Sequence, residues 1–494
     1  MERDAAALPQ VMLAALALLL AAPDAPQVST SDGIVAGSAM PGASIFRGIP
    51  FAAPPTGDLR WKAPQPVTPW QGVRADKPDA PACLQNDYGW NRGDYLRSAE
   101  DCLTLDVRTP DVAGKRPVMV WIHGGSNRAG SARGTVQSRI TDQGVVLVAV
   151  QYRLGIFGFL PHRGAAAETA GTAGNYGLMD QIAALKWVRA NIAKFGGDPA
   201  NVTIFGETAG SQDASLLLAA PQARGLFAKA ILESGTPGFG MPFRPLAEAL
   251  AIGDQADKLL DTGGSIAELR KRPAQALLAA DLKLADASLF TNDYLWLRTT
   301  IDGAVLPRSP RDLLAMAPKR PVIIGSNRAE FGPGPGEADW PVVLAKTFGT
   351  NAARARAFYR LDDPARTDDP RLGPPELEYS TDWIFRCPAG RLADLLAGKG
   401  APVWRYEFDA ARDGGRTSHA AEIDYVLGTA HFAPDLQLQD YWVGFAKTGD
   451  PNRAGLPPWP RFDPQGQRHV LFDAAGVTPG GKLREPICSM LEAL

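Results

Sequence analysis

Short apolar, β-branched runs recur along this chain at 118–122, 145–151, 202–205, 229–232, 322–324 and 403–408. Each is bounded by turn residues and apolar at successive positions, the pattern of a strand covered on both faces. Longer segments of helical period lie between several of them. The clearest covers 180–195, with Ile182, Leu185, Val188 and Ile192 on one stripe. It stops at Gly196-Gly197-Asp198-Pro199, which a helix does not cross. Alternating strands and helices predict an α/β fold with a large, mostly parallel, twisted sheet flanked by helices. The pattern changes over 237–320, where the chain turns helical and rich in Ala and Leu. That stretch reads as a helical cap inserted between core strands, and a second, more polar helical stretch follows at 341–398.

The run at 202–205 leads into Gly206-Glu207-Thr208-Ala209-Gly210, with a helix expected over 212–220. Strand, sharp turn and helix around Gly-x-Ser-x-Gly form the nucleophile elbow of an α/β-hydrolase. The outer glycines let strand and helix approach closely around a strained central residue. Here that residue is a threonine, and a β-branched side chain is costly in such a conformation. The pattern therefore predicts a hydrolase and marks Thr208 as its departure. Ser211 falls in the first turn of the helix, is expected to point into packing, and is a poor substitute.

A hydroxyl nucleophile needs a base, an acid that orients the base, and donors for the developing oxyanion. The chain has 5 histidines, so the base can be sought by elimination. His123 closes a strand, His162 follows a proline in a loop, and His431 and His469 lack a nearby carboxylate pattern. His419 lies in Thr417-Ser-His-Ala-Ala-Glu-Ile423, after the run ending at Phe408, and fits the order nucleophile, acid, histidine. A surface histidine is the plain alternative. For the acid, 322–330 ends at Glu330 just beyond a core strand. Glu337 and Asp339 compete with it, and a solvated loop carboxylate is the alternative. The turn His123-Gly124-Gly125-Ser126 offers the N–H groups of Gly125 and Ser126, to converge with that of Ala209.

With 494 residues, 45% of them hydrophobic, the chain can bury a large core. A net charge of −2 and the lack of a basic tract argue against a nucleic-acid partner. The apolar run at 11–22 is too short to span a bilayer and has the length of a signal-peptide core. Residues 1–25 thus read as an export signal, with a frayed tail or uncleaved anchor as the alternative. Residues 26–494 would then be one exported domain, periplasmic or secreted, without an integral membrane segment. An even cysteine count (Cys83, Cys102, Cys387, Cys488) suggests two disulfides in such a compartment. Three pairings are open on count alone, nearest-neighbour closure gives Cys83–Cys102 and Cys387–Cys488, and four buried thiols are the cytosolic alternative. No Cys-x-x-Cys pair suggests a metal, and the chemistry outlined needs no metal or organic cofactor.

Five further segments belong together: Phe46-Arg-Gly-Ile-Pro-Phe-Ala-Ala-Pro-Pro55 with Leu59-Arg60-Trp61, Glu100-Asp-Cys-Leu-Thr-Leu105, Gly174-Asn-Tyr-Gly-Leu-Met-Asp-Gln181, Tyr441-Trp442, and Phe445-Ala-Lys-Thr-Gly-Asp-Pro451. On these the chain resembles the type-B carboxylesterases, which include cholinesterases and bacterial para-nitrobenzyl esterases, over nearly its whole length. The resemblance implies an α/β-hydrolase fold and hydrolysis of a small-molecule carboxylic ester. It implies Glu330 as acid, His419 as base, and Glu207 and Ser234 as supports of the histidine. It also implies the disulfides Cys83–Cys102 and Cys387–Cys488. Three departures stand out: Thr208 for serine, Ser126 for the third glycine of the oxyanion turn, and Phe331 for the glycine that usually follows the acid. Trp90 lies in the loop where cholinesterases carry a cation-binding tryptophan, but the loop length differs, so Trp90 reads as a gorge wall or loop anchor. Two outcomes follow for function: an esterase working through Thr208, or a catalytically impaired relative that binds ester-like ligands or acts as a non-enzymatic binding protein.

Overall fold

The computed structural model describes residues 25–289, 292–332, 339–411, 414–428 and 436–491. Nearly all of the expected export signal, Glu337 and His431 lie outside the described residues.

The apolar runs form the middle of an 11-stranded sheet. In chain order its strands are β1 (Ser38–Met40), β2 (Ala43–Pro50), β3 (Thr104–Thr109), β4 (Arg116–Ile122), β5 (Val146–Val150), β6 (Gly197–Glu207), β7 (Lys229–Glu233), β8 (Val322–Asn327), β9 (Val403–Asp409), β10 (His469–Asp473) and β11 (Gly476–Gly480). Across the sheet they run β11-β10-β9-β8-β7-β6-β4-β5-β3-β2-β1. Every pairing from β5 to β10 is parallel, and antiparallel strands close both edges. The central strands are apolar at successive positions because both faces are covered. Val118, Val120 and Ile122 face one core with Ile182, Leu185 and Val188. Met119 and Trp121 face the other with Tyr441, Trp442 and Phe445. Alternate residues of a strand point to opposite faces, so one run feeds both layers.

The helix at 180–195 is real but starts earlier, as α1 (Tyr176–Asn191), and tightens into a 3₁₀ turn at Ile192–Phe195. Gly196, at φ 77°, ends it. The helix expected over 212–220 is α2 (Ala209–Ala219) and starts directly after Thr208, whose carbonyl accepts the Gln212 N–H at 2.9 Å. Further helices at Leu246–Leu260, Ile266–Lys271, Ala274–Asp281 and Pro310–Met316 fall within 237–320. Helices Trp340–Phe348, Ala352–Phe358, Pro375–Ser380 and Cys387–Gly398 occupy the second stretch. Both stretches send side chains over the elbow: Phe239, Met241, Tyr294, Leu297, Ile384 and Phe385 pack with Ala209.

The disulfides are Cys83–Cys102 and Cys387–Cys488, with Cα separations of 5.0 and 5.1 Å, well inside bridging range. In the chain-entropy account the short loop gains about 3 kcal/mol and the long one roughly 5 kcal/mol. No helix among the described residues is long and apolar enough to cross a membrane.

Candidate active site

Strand order reverses where β6 and β5 flank β4, and ligands of open α/β sheets gather beyond the carboxyl ends of strands at such a point. β6 ends there at Glu207, and Thr208 follows at φ 51°, ψ −116°, a conformation strained for a β-branched residue. Its N–H donates to the carbonyl of Glu233 at 2.9 Å, locking the elbow to the end of β7. The glycines on either side are needed for close approach. A Cβ at Gly206 would stand 2.5 Å from the Ile122 carbonyl oxygen, and one at Gly210 only 1.9 Å from it. The extra methyl of Thr208 finds room against another glycine, Gly124, whose Cβ would lie 2.2 Å from Thr208 Cγ2.

Two strands beyond β6 across the sheet, β8 ends at Asn327, and Glu330 follows on the next turn. Its side chain is sealed from solvent and bonded on every side. His419 Nδ1 donates to Oε2 at 2.6 Å, while the Ser234 hydroxyl and the Asn327 N–H donate to Oε1 at 2.6 and 2.7 Å. Glu330 and His419 therefore meet as the sequence implies, and Ser234 supports the pair from the turn after β7. Asp339, the competing acid, is exposed at the start of the helix Trp340–Phe348.

The second imidazole nitrogen differs from expectation. Nε2 of His419 lies 2.9 Å from Glu207 Oε1, an ion-pair contact without the alignment of a hydrogen bond. No hydrogen bond joins His419 to Thr208 among the described residues. Glu207 thus supports the histidine from the side on which a nucleophile's hydroxyl would approach. Burial by itself lowers the pKa of His419, but the charge of Glu207 and the contacts of Glu330 outweigh it and carry it up to about 10. Burial raises that of Glu207.

Two glutamates without a role in the sequence reading complete this region. Glu422, three residues after His419 and fully buried, accepts from Asn327 Nδ2 at 2.7 Å and lies 3.3 Å from the Ser234 hydroxyl oxygen. Its pKa is pushed up to about 8, by burial first and then by the charges of Glu330 and Glu207. Glu233, also fully buried, accepts from the Trp442 indole N–H, and burial holds its pKa well above the usual carboxylate range. Two carboxyl groups thus flank the imidazole, with Glu422 behind Glu330 and Glu233 at the end of β7. The motif His-Ala-Ala-Glu held Glu422 in plain view, but no periodicity or spacing marks it as a partner of Glu330.

Beyond β4 the chain turns at Gly124, Gly125 and Ser126. Gly125 is at φ 103°, where a Cβ would collide with the Ala129 carbonyl at 2.1 Å. Ser126 accepts the left-handed conformation at φ 58°, so the missing third glycine bends the chain as a glycine would. Among the described residues, no protein acceptor takes the N–H of Gly125, Ser126 or Ala209. Such unclaimed amides beside a nucleophile elbow are the material of an oxyanion hole.

Other sequence candidates take different parts. His123 is buried, stacks on Tyr152 and donates to the Gly124 carbonyl, and burial lowers its pKa to about 4. His162, the loop histidine after a proline, has a carboxylate partner, Asp257 at 3.0 Å, 95 residues away in sequence. Ser211 donates to the Gly235 carbonyl at 2.8 Å and is fully buried, as expected. Trp90 is 66% exposed, and one edge of its ring reaches 3.0 Å from where a Gly125 Cβ would stand. Phe331 meets the His419 ring edge-on, centroids 4.3 Å apart. No cluster of His, Cys, Asp or Glu among the described residues is suited to hold a metal.

The sequence profile of the Carboxylesterase family matches residues 24–334 and 343–489. The chain belongs to that family. It is 34% identical over 486 residues to a rabbit (Oryctolagus cuniculus) protein, liver carboxylesterase 1, spanning 85% of this chain and 84% of that one. It is equally 34% identical over 471 residues to the fumonisin B1 esterase of Sphingopyxis macrogoltabida, spanning 88% of this chain and 84% of the other. Among solved structures, a PNB esterase superposes with a TM-score of 0.81 at 30% identity, over 95% of this chain and 99% of its own. A Geobacillus stearothermophilus carboxylesterase gives the same TM-score and identity over 94% and 100%. As a carboxylesterase, the protein is an ester hydrolase of α/β-hydrolase fold.

Proposed function

We propose that this carboxylesterase hydrolyses small-molecule esters by two-step acyl transfer, with Thr208 as the nucleophile. The observation that carries this reading is the strained elbow conformation of Thr208 beside the unclaimed N–H groups of Gly125, Ser126 and Ala209. The hydroxyl attacks the ester carbonyl and gives its proton to Nε2 of His419. Glu330 holds Nδ1–H and stabilises the imidazolium. The three amides receive the oxyanion, His419 protonates the departing alcohol, and water then cleaves the threonyl ester by the reverse sequence. For this His419 must first lose the proton that Glu207 and Glu330 favour, and its Nε2 must turn from Glu207 to Thr208. Both requirements favour alkaline pH.

The contact between Nε2 and Glu207 supports a second reading, in which the chain binds ester-like ligands but turns them over poorly. Purified protein assayed with short-chain nitrophenyl esters separates the two. The first reading expects turnover by the wild type, equal or faster turnover by Thr208→Ser, and near loss in Thr208→Ala. Wild-type turnover no better than that of Thr208→Ala leaves only the second. Labelling by an organophosphonate, located by mass spectrometry, reports on the nucleophile independently. We also infer export as the destination of the chain, in keeping with its two disulfides.

A further inference from the structure

The three oxyanion amides come from two places. Gly125 and Ser126 follow β4, while Ala209 opens the helix after the elbow. Their usefulness depends on a separation held to within about 0.5 Å, which neither segment controls alone. The turn is not self-supporting either. Ser126 and Asn127 are consecutive non-glycine residues in the left-handed region, at φ 58° and 55°. Such a turn persists when its surroundings over-determine it.

Asn127 is 1% exposed. Its Nδ2 donates to Asp213 Oδ1 at 3.0 Å, and its Oδ1 lies 3.3 Å from the Tyr152 hydroxyl, whose shorter bond of 2.7 Å goes to the His123 carbonyl. Its carbonyl accepts the Gly155 N–H at 2.7 Å. Asp213 is fully buried on α2, one helical turn after Ala209, and its other oxygen accepts from Gln181 Nε2 at 2.6 Å. Amides hold this carboxyl rather than a cation, since the groups that act on it are Asn127, Gln181 and Gln212. A carboxyl so deeply buried without a countercharge is costly. What it does provide is one bond between the helix that carries the Ala209 amide and the turn that carries the Ser126 amide.

We propose that Asp213 is a positioning residue that fixes, through Asn127, the separation of the two halves of the oxyanion hole. This rests on the oxyanion reading of Gly125, Ser126 and Ala209 but not on Thr208 as nucleophile. The test therefore uses Asp213→Ala, Asn127→Ala, their double variant and Asp213→Asn, each in the wild-type and the Thr208→Ser full-length chain. Asp213→Ala and Asn127→Ala should each lower kcat for a nitrophenyl ester about 10- to 100-fold while KM changes little, because a misplaced donor is felt in the transition state. The double variant should fall no further than either single one, since both cut the same tie. Asp213→Asn, which keeps an oxygen for Asn127, should recover most of kcat. Crystal structures should show the Ser126 and Ala209 nitrogens displaced by more than about 0.5 Å in Asp213→Ala and in place in Asp213→Asn.

Inactivity confined to the threonine background would count against Thr208 alone. Unchanged kcat in the serine background would overturn the positioning role. So would multiplicative losses in the double variant, failure of Asp213→Asn to recover, or an unmoved Ser126–Ala209 separation, a readout that needs no activity.

Discussion

Two histidines among the described residues hold carboxylates, His419 with Glu330 and His162 with Asp257, and only one of them stands beside the elbow and its unclaimed amides. In His162 both ring nitrogens are committed. Nε2 faces Asp257 at 3.0 Å, and Nδ1 accepts the Gly164 N–H at 3.0 Å, capping the short helix Arg163–Glu168. The pair clips that helix to the cap helix Leu246–Leu260, and the Thr262 hydroxyl closes the clip on Asp257. His419 uses only Nδ1 for its structural bond. Its Nε2 faces a second carboxylate, next to a strained threonine and three unclaimed amides. A histidine–carboxylate pair is thus not chemistry in itself. The second nitrogen and what it faces make the difference.

Substituting each histidine in turn tests that contrast most strongly. His419→Ala should lower kcat for nitrophenyl esters by about 10⁴-fold, the scale seen when a triad member is disabled elsewhere. Its melting temperature should change far less than its rate. His162→Ala should do the reverse: loss of the clip costs on the order of 1–3 kcal/mol of unfolding free energy, measured by denaturant titration, while the folded enzyme keeps its kcat. An enzyme that lost turnover on His162→Ala without losing stability would erase the distinction.

The next effect is on pH. The pKa of His419 stands at about 10 because Glu207 and Glu330 outweigh burial. In the unfolded chain a histidine titrates near 6.5. With a raised folded pKa, the stability contributed is complete below about 6.5 and is lost as pH rises through about 10. The base form needed for attack follows the opposite course, so kcat/KM should climb well above neutrality. Glu207→Gln removes the charge facing Nε2 and should bring the acid limb of the kcat/KM profile down by about 1–3 pH units. An acid limb near 6.5 in the wild type, unmoved by Glu207→Gln, would mean that the two side chains part in solution.

The same contrast explains what was legible beforehand. The strands were readable because β4, β5 and β7 are buried on both faces and must be apolar at successive positions. The elbow was readable because Gly206 and Gly210 have no room for a Cβ. Chain order and elimination point to His419, and the place after β8 to Glu330, but a surface histidine and the rival carboxylates Glu337 and Asp339 stay open until the family resemblance implies the pair. His162 is set aside as a loop residue after a proline, and nothing near it in sequence announces Asp257, 95 residues away. The resemblance implies Glu207 as a support of the histidine but not that it faces Nε2, and nothing in the sequence announces Glu422 behind Glu330. Each of those contacts joins loops that only the finished sheet brings together, and no local period records them. Thr208 was legible as a departure, but not the reason it fits, which is the empty side of Gly124.

The smallest expected effect concerns Phe331, the departure next to the acid. Its ring stands edge-on to the His419 imidazole, with centroids 4.3 Å apart, and also meets Phe385 at 5.8 Å. It is 42% exposed, so it limits the motion of the imidazole from one side only. An aromatic contact of this kind contributes about 0.5–1.5 kcal/mol. If that energy serves to hold the ring for catalysis, Phe331→Gly should reduce kcat by about 2- to 10-fold on a small nitrophenyl ester. Unfolding free energy should change by less than about 1 kcal/mol, because a half-exposed side chain leaves no cavity behind. Among the described residues His162 has no such aromatic neighbour to lose, so the loss should be specific to the proposed catalytic pair. A rise in kcat would instead make Phe331 a brake, holding Nε2 against Glu207, and would predict that Phe331→Gly shifts the pH profile in the same direction as Glu207→Gln.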